Sequence, residues 1–151
     1  MRWLRLLTIA AAVIVFLLLS GLLARAFSID GAEQSAITRV VQAEARGDSG
    51  GMIKLIQHCV NSPFCRSRAR ADAGALRRAG RVSILELNPS AGFSLVSTLG
   101  VARVAWRAGS SLPVVQCVRV RRAGNVISGL SVQLLEISRR INTGANCPNQ
   151  F

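Results

Sequence analysis

The feature that most constrains this chain is an uncharged, mostly apolar run over residues 6–24. As a helix, this run is about 28 Å long, which is close to the roughly 30 Å hydrocarbon core of a bilayer. Arg2 and Arg5 precede the run, and Arg25 follows it. Basic residues ahead of an apolar helix favour an orientation with residues 1–5 in the cytoplasm and the rest of the chain outside it.

The same run has two interpretations, a retained signal anchor and a cleaved signal peptide. Residues 24–26 have the small-x-small pattern of a cleavage site, and cleavage there releases a secreted chain that begins at Phe27. The apolar core of a signal peptide usually has about 7 to 15 residues, and this run is longer. We therefore predict a single-pass anchor over residues 6–24 and an extracytoplasmic domain over residues 27–151, with secretion as the alternative.

The charge balance of the chain bears on its partners. The chain has 19 Lys and Arg against 7 Asp and Glu, which gives a formal net charge of +12. A dense basic stretch is a candidate for binding an anionic envelope polymer or lipid headgroups. It lacks the interleaved aromatic residues that stack on bases, and its predicted location argues against nucleic acid. The candidate anion-binding residues are Arg66, Arg68, Arg70, Arg77, Arg78 and Arg81.

All four cysteines follow the apolar run, so the predicted orientation places them in an oxidising compartment. Four cysteines allow three pairings. We favour Cys59–Cys65, which closes a short loop, and Cys117–Cys147, which ties the C-terminal tail to a strand, while the other pairings stay open. The one histidine, His58, adjoins Cys59, but the cysteines lack the spacing of a zinc site. We predict neither a metal nor a cofactor.

Helical patterns come first in the domain. A capping box, with Asp30 as N-cap and Glu33 at the third helical position, predicts the start of a helix that ends at Gly47. A second helix follows, and Pro63 is expected to end it. A third helix is predicted over residues 66–78.

Strand patterns follow the helices. Gly129 indicates a bulge or bend in the last strand, and residues 123–125 are expected to form a hairpin turn. This order predicts an α+β domain in which two or three helices pack on a curved, four-stranded antiparallel sheet, after an N-terminal transmembrane helix. Strands are predicted over residues 82–87, 101–107, 113–122 and 126–137, with a short edge strand over residues 93–96.

Two parts of the domain carry a resemblance to a known superfamily. The first helix ends in Val-Val-Gln-Ala-Glu-Ala-Arg-Gly-Asp at residues 40–48, and the closing meander includes residues 100–106, 113–118 and 129–132. In this order of elements, the chain resembles an exported, membrane-anchored bacterial member of the nuclear transport factor 2-like (cystatin-like) α+β cone superfamily. The resemblance implies a conical pocket between the helices and the sheet.

Enzymes of that superfamily place Asp/His pairs or carboxylates inside the pocket. This chain offers only Glu86 and Glu136 as acid/base candidates. We therefore expect no enzyme but a membrane-anchored binding or envelope-associated module. One alternative is a basic module that binds an envelope polyanion or the anionic membrane surface. The other is a hydrolase or isomerase that uses Glu86 or Glu136 in the cone pocket.

Overall fold

The computed structural model of the chain describes residues 2–89, 97–125, 129–148 and 151. Helices precede strands, so the predicted α+β class is confirmed. The helical elements are α1 (Arg2–Arg46), α2 (Ser49–Leu55), a 3₁₀ turn (Cys59–Asn61) and α3 (Pro63–Ala75). The strands are β1 (Val82–Asn88), β2 (Ser97–Ala108), β3 (Val114–Asn125) and β4 (Gly129–Ile137).

The four strands form one antiparallel sheet in the order β1-β2-β3-β4. The register between β3 and β4 shifts at Leu135, where one residue of β4 has no partner in β3. This bulge allows both Leu134 and Ile137 to face the core although they are three residues apart. Gly129 is the first residue of β4 and therefore does not bend the strand from within. The irregularity in β4 lies at Leu135.

The prediction of a helix start at Asp30 is wrong, because α1 continues without interruption from Arg2 to Arg46. Glu33 has a tertiary role instead. It is fully buried, and its Oε2 lies 2.6 Å from Nε of Arg122 on β3. A capping box is a local signal of a helix start. Here the residues on both sides of it are helical, so the chain continues as one helix through this position.

Among the residues that the structure describes, no helix is both long enough and apolar enough to cross a membrane. The transmembrane helix expected over residues 6–24 is therefore not supported by this part of the chain, and it stays a prediction. The side chains of residues 9–23 are all exposed.

The expected end of the second helix at Pro63 is also wrong. Helix α2 ends at Leu55, and Ile56 is extended and forms a parallel bridge with Leu134. Pro63 is the first residue of α3, and the hydroxyl of Ser62 accepts a hydrogen bond from the backbone N–H of Cys65 as the N-cap. Proline suits the first helical position because its missing N–H has no helical partner there.

The hairpin turn predicted at residues 123–125 belongs to β3, because these residues pair with residues 129–131 of β4. The connection between the two strands, at residues 126–128, lies outside the described residues. The edge strand predicted over residues 93–96 lies outside them as well.

The two faces of the sheet are covered by different parts of the chain. Helix α1 packs on one face and forms the core with β2 and β3. On the other face, Cys147 of the C-terminal tail is bonded to Cys117. Ile141 of the same tail lies in the plane of the sheet, where its backbone forms an antiparallel bridge with Val115 of β3. Cys59 is bonded to Cys65, so the structure contains the two disulfides that the sequence favoured. The main core side chains are Ile37, Val40, Val41, Met52, Val104, Trp106, Val118 and Val120.

The connection from α3 to the sheet depends on a close backbone contact at Gly80. Its φ is +101°, and a Cβ atom built there would lie 2.9 Å from the Cα of Gly109. We expect Gly80→Ala to lower the free energy of unfolding by about 2 kcal/mol or more, because both the φ angle and the contact oppose a side chain. Urea denaturation measures the change.

Gly74→Ala is the matched control for this substitution. Gly74 lies inside α3, and a Cβ there would meet no atom within 4 Å. Alanine favours a helix interior over glycine by up to about 1 kcal/mol, so Gly74→Ala should leave stability unchanged or raise it. Equal losses in the two variants would contradict the role given to Gly80.

Candidate anion-binding cleft

A cavity of about 320 Å³ opens between α3, the end of β4 and the C-terminal tail. The tail is held beside β3 by the bridge between Ile141 and Val115 and by the Cys117–Cys147 disulfide. We call this cavity the arginine cleft. Its lining residues are Arg68, Ser138, Arg139, Arg140, Ile141, Pro148 and Phe151.

One wall of the arginine cleft is fixed by ion pairs. Glu136 of β4 accepts a hydrogen bond from Nη1 of Arg68 at 2.6 Å, and another from Nη1 of Arg119 at 3.2 Å. These side chains are about a quarter exposed or less. Arg119 also lies over the ring of Phe151, with its Cζ atom 4.9 Å from the ring centroid. The two guanidinium groups share the carboxylate of Glu136, which holds both of them in place.

Two exposed arginines, Arg139 and Arg140, also line the arginine cleft. Within the described residues, neither guanidinium has a hydrogen bond or an ion pair. Their backbone is held in place by Ser138. Its hydroxyl accepts a hydrogen bond from the N–H of Cys117 at 2.8 Å and donates one to the carbonyl of Arg139 at 2.7 Å.

Two buried carboxyl groups, Glu44 of α1 and Asp72 of α3, lie behind the arginine cleft. Burial raises the pKa of Asp72, while the nearby charges of Arg68 and Arg139 lower it. Burial also raises the pKa of Glu44, from 4.5 to about 8; a hydrogen bond from Gln116 opposes this increase, and the charge of Asp72 adds to it. Glu44 is therefore mainly protonated at neutral pH.

Gln116 connects Glu44 to the tail through a buried network. Its Nε2 donates to Oε1 of Glu44 at 2.9 Å and to the carbonyl of Ser138 at 3.0 Å. Its Oε1 accepts a hydrogen bond from Nε1 of Trp106 at 2.7 Å. The amide thus joins α1, β2, β3 and the start of the tail, all within the core.

Of the six arginines predicted to bind anions, the structure places only Arg68 in the arginine cleft. Arg66 donates to the carbonyl of Val60, and Arg78 donates to the carbonyls of Ala75 and Arg77. The other members of the predicted set are exposed elsewhere on α3 or on the segment that follows it: Arg70, Arg77 and Arg81.

The two predicted acid/base candidates occupy different surroundings. Glu86 is about half exposed and pairs with Arg103 at 3.2 Å. Glu136, held by its two arginines, also lines a second cavity of about 290 Å³ beside the Cys59–Cys65 disulfide. His58 lies at the rim of that cavity, and no set of three His, Cys, Asp or Glu side chains in the described residues is placed to hold a metal ion.

Sequence reasoning did not find Arg139, Arg140 or the buried pair of Glu44 and Asp72. One signal was present for Glu44, which continues the helical spacing of Ile37, Val40 and Val41 and so lies on the apolar face of α1. The two arginines had no comparable signal, because only the tertiary structure brings them close to Arg68.

Comparison with protein-family models, with curated proteins and with solved structures finds no match for this chain. The architecture alone, an α+β fold with a four-stranded antiparallel sheet, does not place the chain in a superfamily. The resemblance to the nuclear transport factor 2-like superfamily therefore stays a prediction.

The raised pKa of Glu44 predicts a pH-dependent stability. Between pH 4.5 and 8 the folded protein keeps a proton that the unfolded chain releases, so stability falls as the pH rises through this range. The expected slope is roughly 1 kcal/mol per pH unit. Asp72, whose pKa is also raised, acts in the same direction. Urea denaturation at several pH values measures the slope.

Glu44→Gln should remove most of this slope, because glutamine imitates the protonated carboxyl group at every pH. We expect the variant to be more stable than the native chain at pH 8. Glu86→Gln changes the charge equally at an exposed position and should keep the native slope. If the free energy of unfolding depended on pH in the same way in the native chain and in Glu44→Gln, the pH dependence could not originate from Glu44.

Proposed function

We propose that this protein is a membrane-anchored binding module, with residues 6–24 in the bilayer and the α+β domain outside the cytoplasm. The observation that carries the proposal is the exposed apolar segment of α1, which continues directly into the helix that forms the domain core. Phe16, Leu17 and Leu18 are each more than 60% exposed. Residues 9–23 contain no charged side chain.

A bilayer is the environment that best accounts for this segment. Transfer of apolar surface out of water is favourable by about 25 cal/mol per Å², and apolar side chains surround the helix on all sides rather than forming one stripe. A helix of this kind is typical of a lipid environment. The two basic residues before the segment support an orientation with the domain outside the cytoplasm.

The disulfides support the same compartment. Cys59–Cys65 and Cys117–Cys147 use all four cysteines of the chain. Disulfides persist in oxidising surroundings and are rare in the cytosol. We include in the proposal the nuclear transport factor 2-like fold, which rests on the order of the elements alone.

The proposed role is binding rather than catalysis. The side chains of Glu86 and Glu136 are both engaged by arginines. Glu44 has the raised pKa expected of a general acid, but its side chain is fully enclosed in the core. The arginine cleft is the feature of the domain best suited to a ligand. A surface for a long polyanion is less well supported, because the six predicted arginines are dispersed.

Cell fractionation followed by non-reducing mass spectrometry tests the proposal. We expect the full-length chain in the membrane fraction, with Cys59–Cys65 and Cys117–Cys147 bonded. Replacing both Leu17 and Leu18 by arginine should move the protein out of the membrane fraction, because each charge at the centre of a bilayer costs about 2.5–3.5 kcal/mol. The matched control replaces both residues by isoleucine and should stay in the membrane.

Two results would contradict different parts of the proposal. A chain that starts at Phe27 in the medium would show a secreted protein instead of an anchored one. Four free thiols in the isolated chain would contradict the extracytoplasmic location of the domain.

A further inference from the structure

We propose that the arginine cleft binds a small soluble organic anion, in which a carboxylate or phosphate group is joined to an apolar body. This inference rests on the proposed function, since it assigns the ligand class of the binding module. Three features of the described residues support it. They are the arginines without a hydrogen bond or ion pair, Arg139 and Arg140, the apolar lining residues, and the position of the arginine cleft along α1.

The charge of the arginine cleft favours an anion. Four arginines surround it or support its walls, against the two carboxyl groups of Glu136 and Asp72. The charged side chains that line the cleft itself are all arginines: Arg68, Arg139 and Arg140. A concave site lined by one sign of charge concentrates ligands of the opposite sign. Arg139 and Arg140 supply the free donors, and a guanidinium group can hold a carboxylate or phosphate through two parallel hydrogen bonds.

The remaining wall of the arginine cleft favours a ligand with an apolar part. Ile141, Pro148 and Phe151 line it. The contact with Arg119 fixes the ring of Phe151. A volume of about 320 Å³ is at the lower end of the range for small-molecule sites, roughly 300–1,000 Å³. An anion with one ring or a short apolar chain matches this combination better than inorganic phosphate does.

The position of the arginine cleft favours a soluble ligand over a lipid headgroup. Glu44 is linked through Gln116 to Ser138, which lines the cleft. Along the continuous helix α1, Glu44 is about 30 Å from residue 24, at 1.5 Å per residue. With residues 6–24 in the bilayer, this separation holds the cleft away from the headgroups of the same membrane.

Ligand-observed NMR with the full-length chain in nanodiscs of neutral lipid tests the inference. The probes are phenyl phosphate and benzoate, compared with inorganic phosphate, which lacks an apolar body, and benzyl alcohol, which lacks a charge. We expect both aromatic anions to bind and both comparison compounds to bind at least about fivefold more weakly. Arg140→Gln should weaken the binding of phenyl phosphate about tenfold, because it removes a charge-assisted hydrogen bond.

Arg70→Gln is the matched control, because Arg70 is exposed on α3 outside the arginine cleft and the substitution makes the same change in net charge. It should leave the affinity unchanged. Phe151→Ala should weaken the aromatic anions but not inorganic phosphate. The inference is overturned if neither aromatic anion binds, or if Arg140→Gln and Arg70→Gln have equal effects.

A second arm of the experiment distinguishes a soluble ligand from a lipid. Nanodiscs that contain phosphatidylglycerol should leave the binding of phenyl phosphate unchanged, whereas loss of binding in them would show that headgroups occupy the arginine cleft. The binding assay reports on the cleft alone, and the fractionation experiment reports on anchoring and compartment. A failure of this inference and a failure of the proposed function are therefore distinguishable.

Discussion

The buried side chain of Gln116 is the junction on which the rest of the domain depends. It lies near the start of β3, and its hydrogen bonds reach Trp106 on β2, Glu44 on α1 and the carbonyl of Ser138. A buried amide with all these partners satisfied stabilises one arrangement of the surrounding elements, because each unpaired polar group would be costly in the core. Gln116 therefore fixes the helix, the sheet and the start of the tail relative to one another.

The same junction connects the core to the arginine cleft. Gln116 and the N–H of Cys117 both bind Ser138, so the backbone that carries Arg139 and Arg140 begins from a fixed position. The raised pKa of Glu44 also originates here, since the enclosure that makes the junction rigid removes water from the carboxyl group. Rigidity of the site and pH-dependent stability have a common physical cause.

The sequence predicted the sheet better than the helices or the arginine cleft. The alternation of apolar residues located all four strands, because a half-buried strand requires it along its whole length. The helix boundaries at Asp30 and Pro63 were wrong because each signal was local and ambiguous: a proline can end one helix or begin the next. The cleft brings Arg68 of α3 close to Arg139, which follows β4, and the bulge at Leu135 near the end of β4 has no mark in the sequence.

Helix α1 is long enough to be attached to the sheet at two separate positions. At one level of the helix, Glu33 is paired with Arg122 and fixes α1 to β3. Eleven residues later, about 16 Å along the axis, Glu44 joins the junction at Gln116. The helix is therefore attached to the sheet at two levels, which prevents it from pivoting. If the apolar end of this helix lies in a membrane, as we propose, the domain is held as a rigid extension of its anchor, and the arginine cleft faces the aqueous phase rather than the lipid surface.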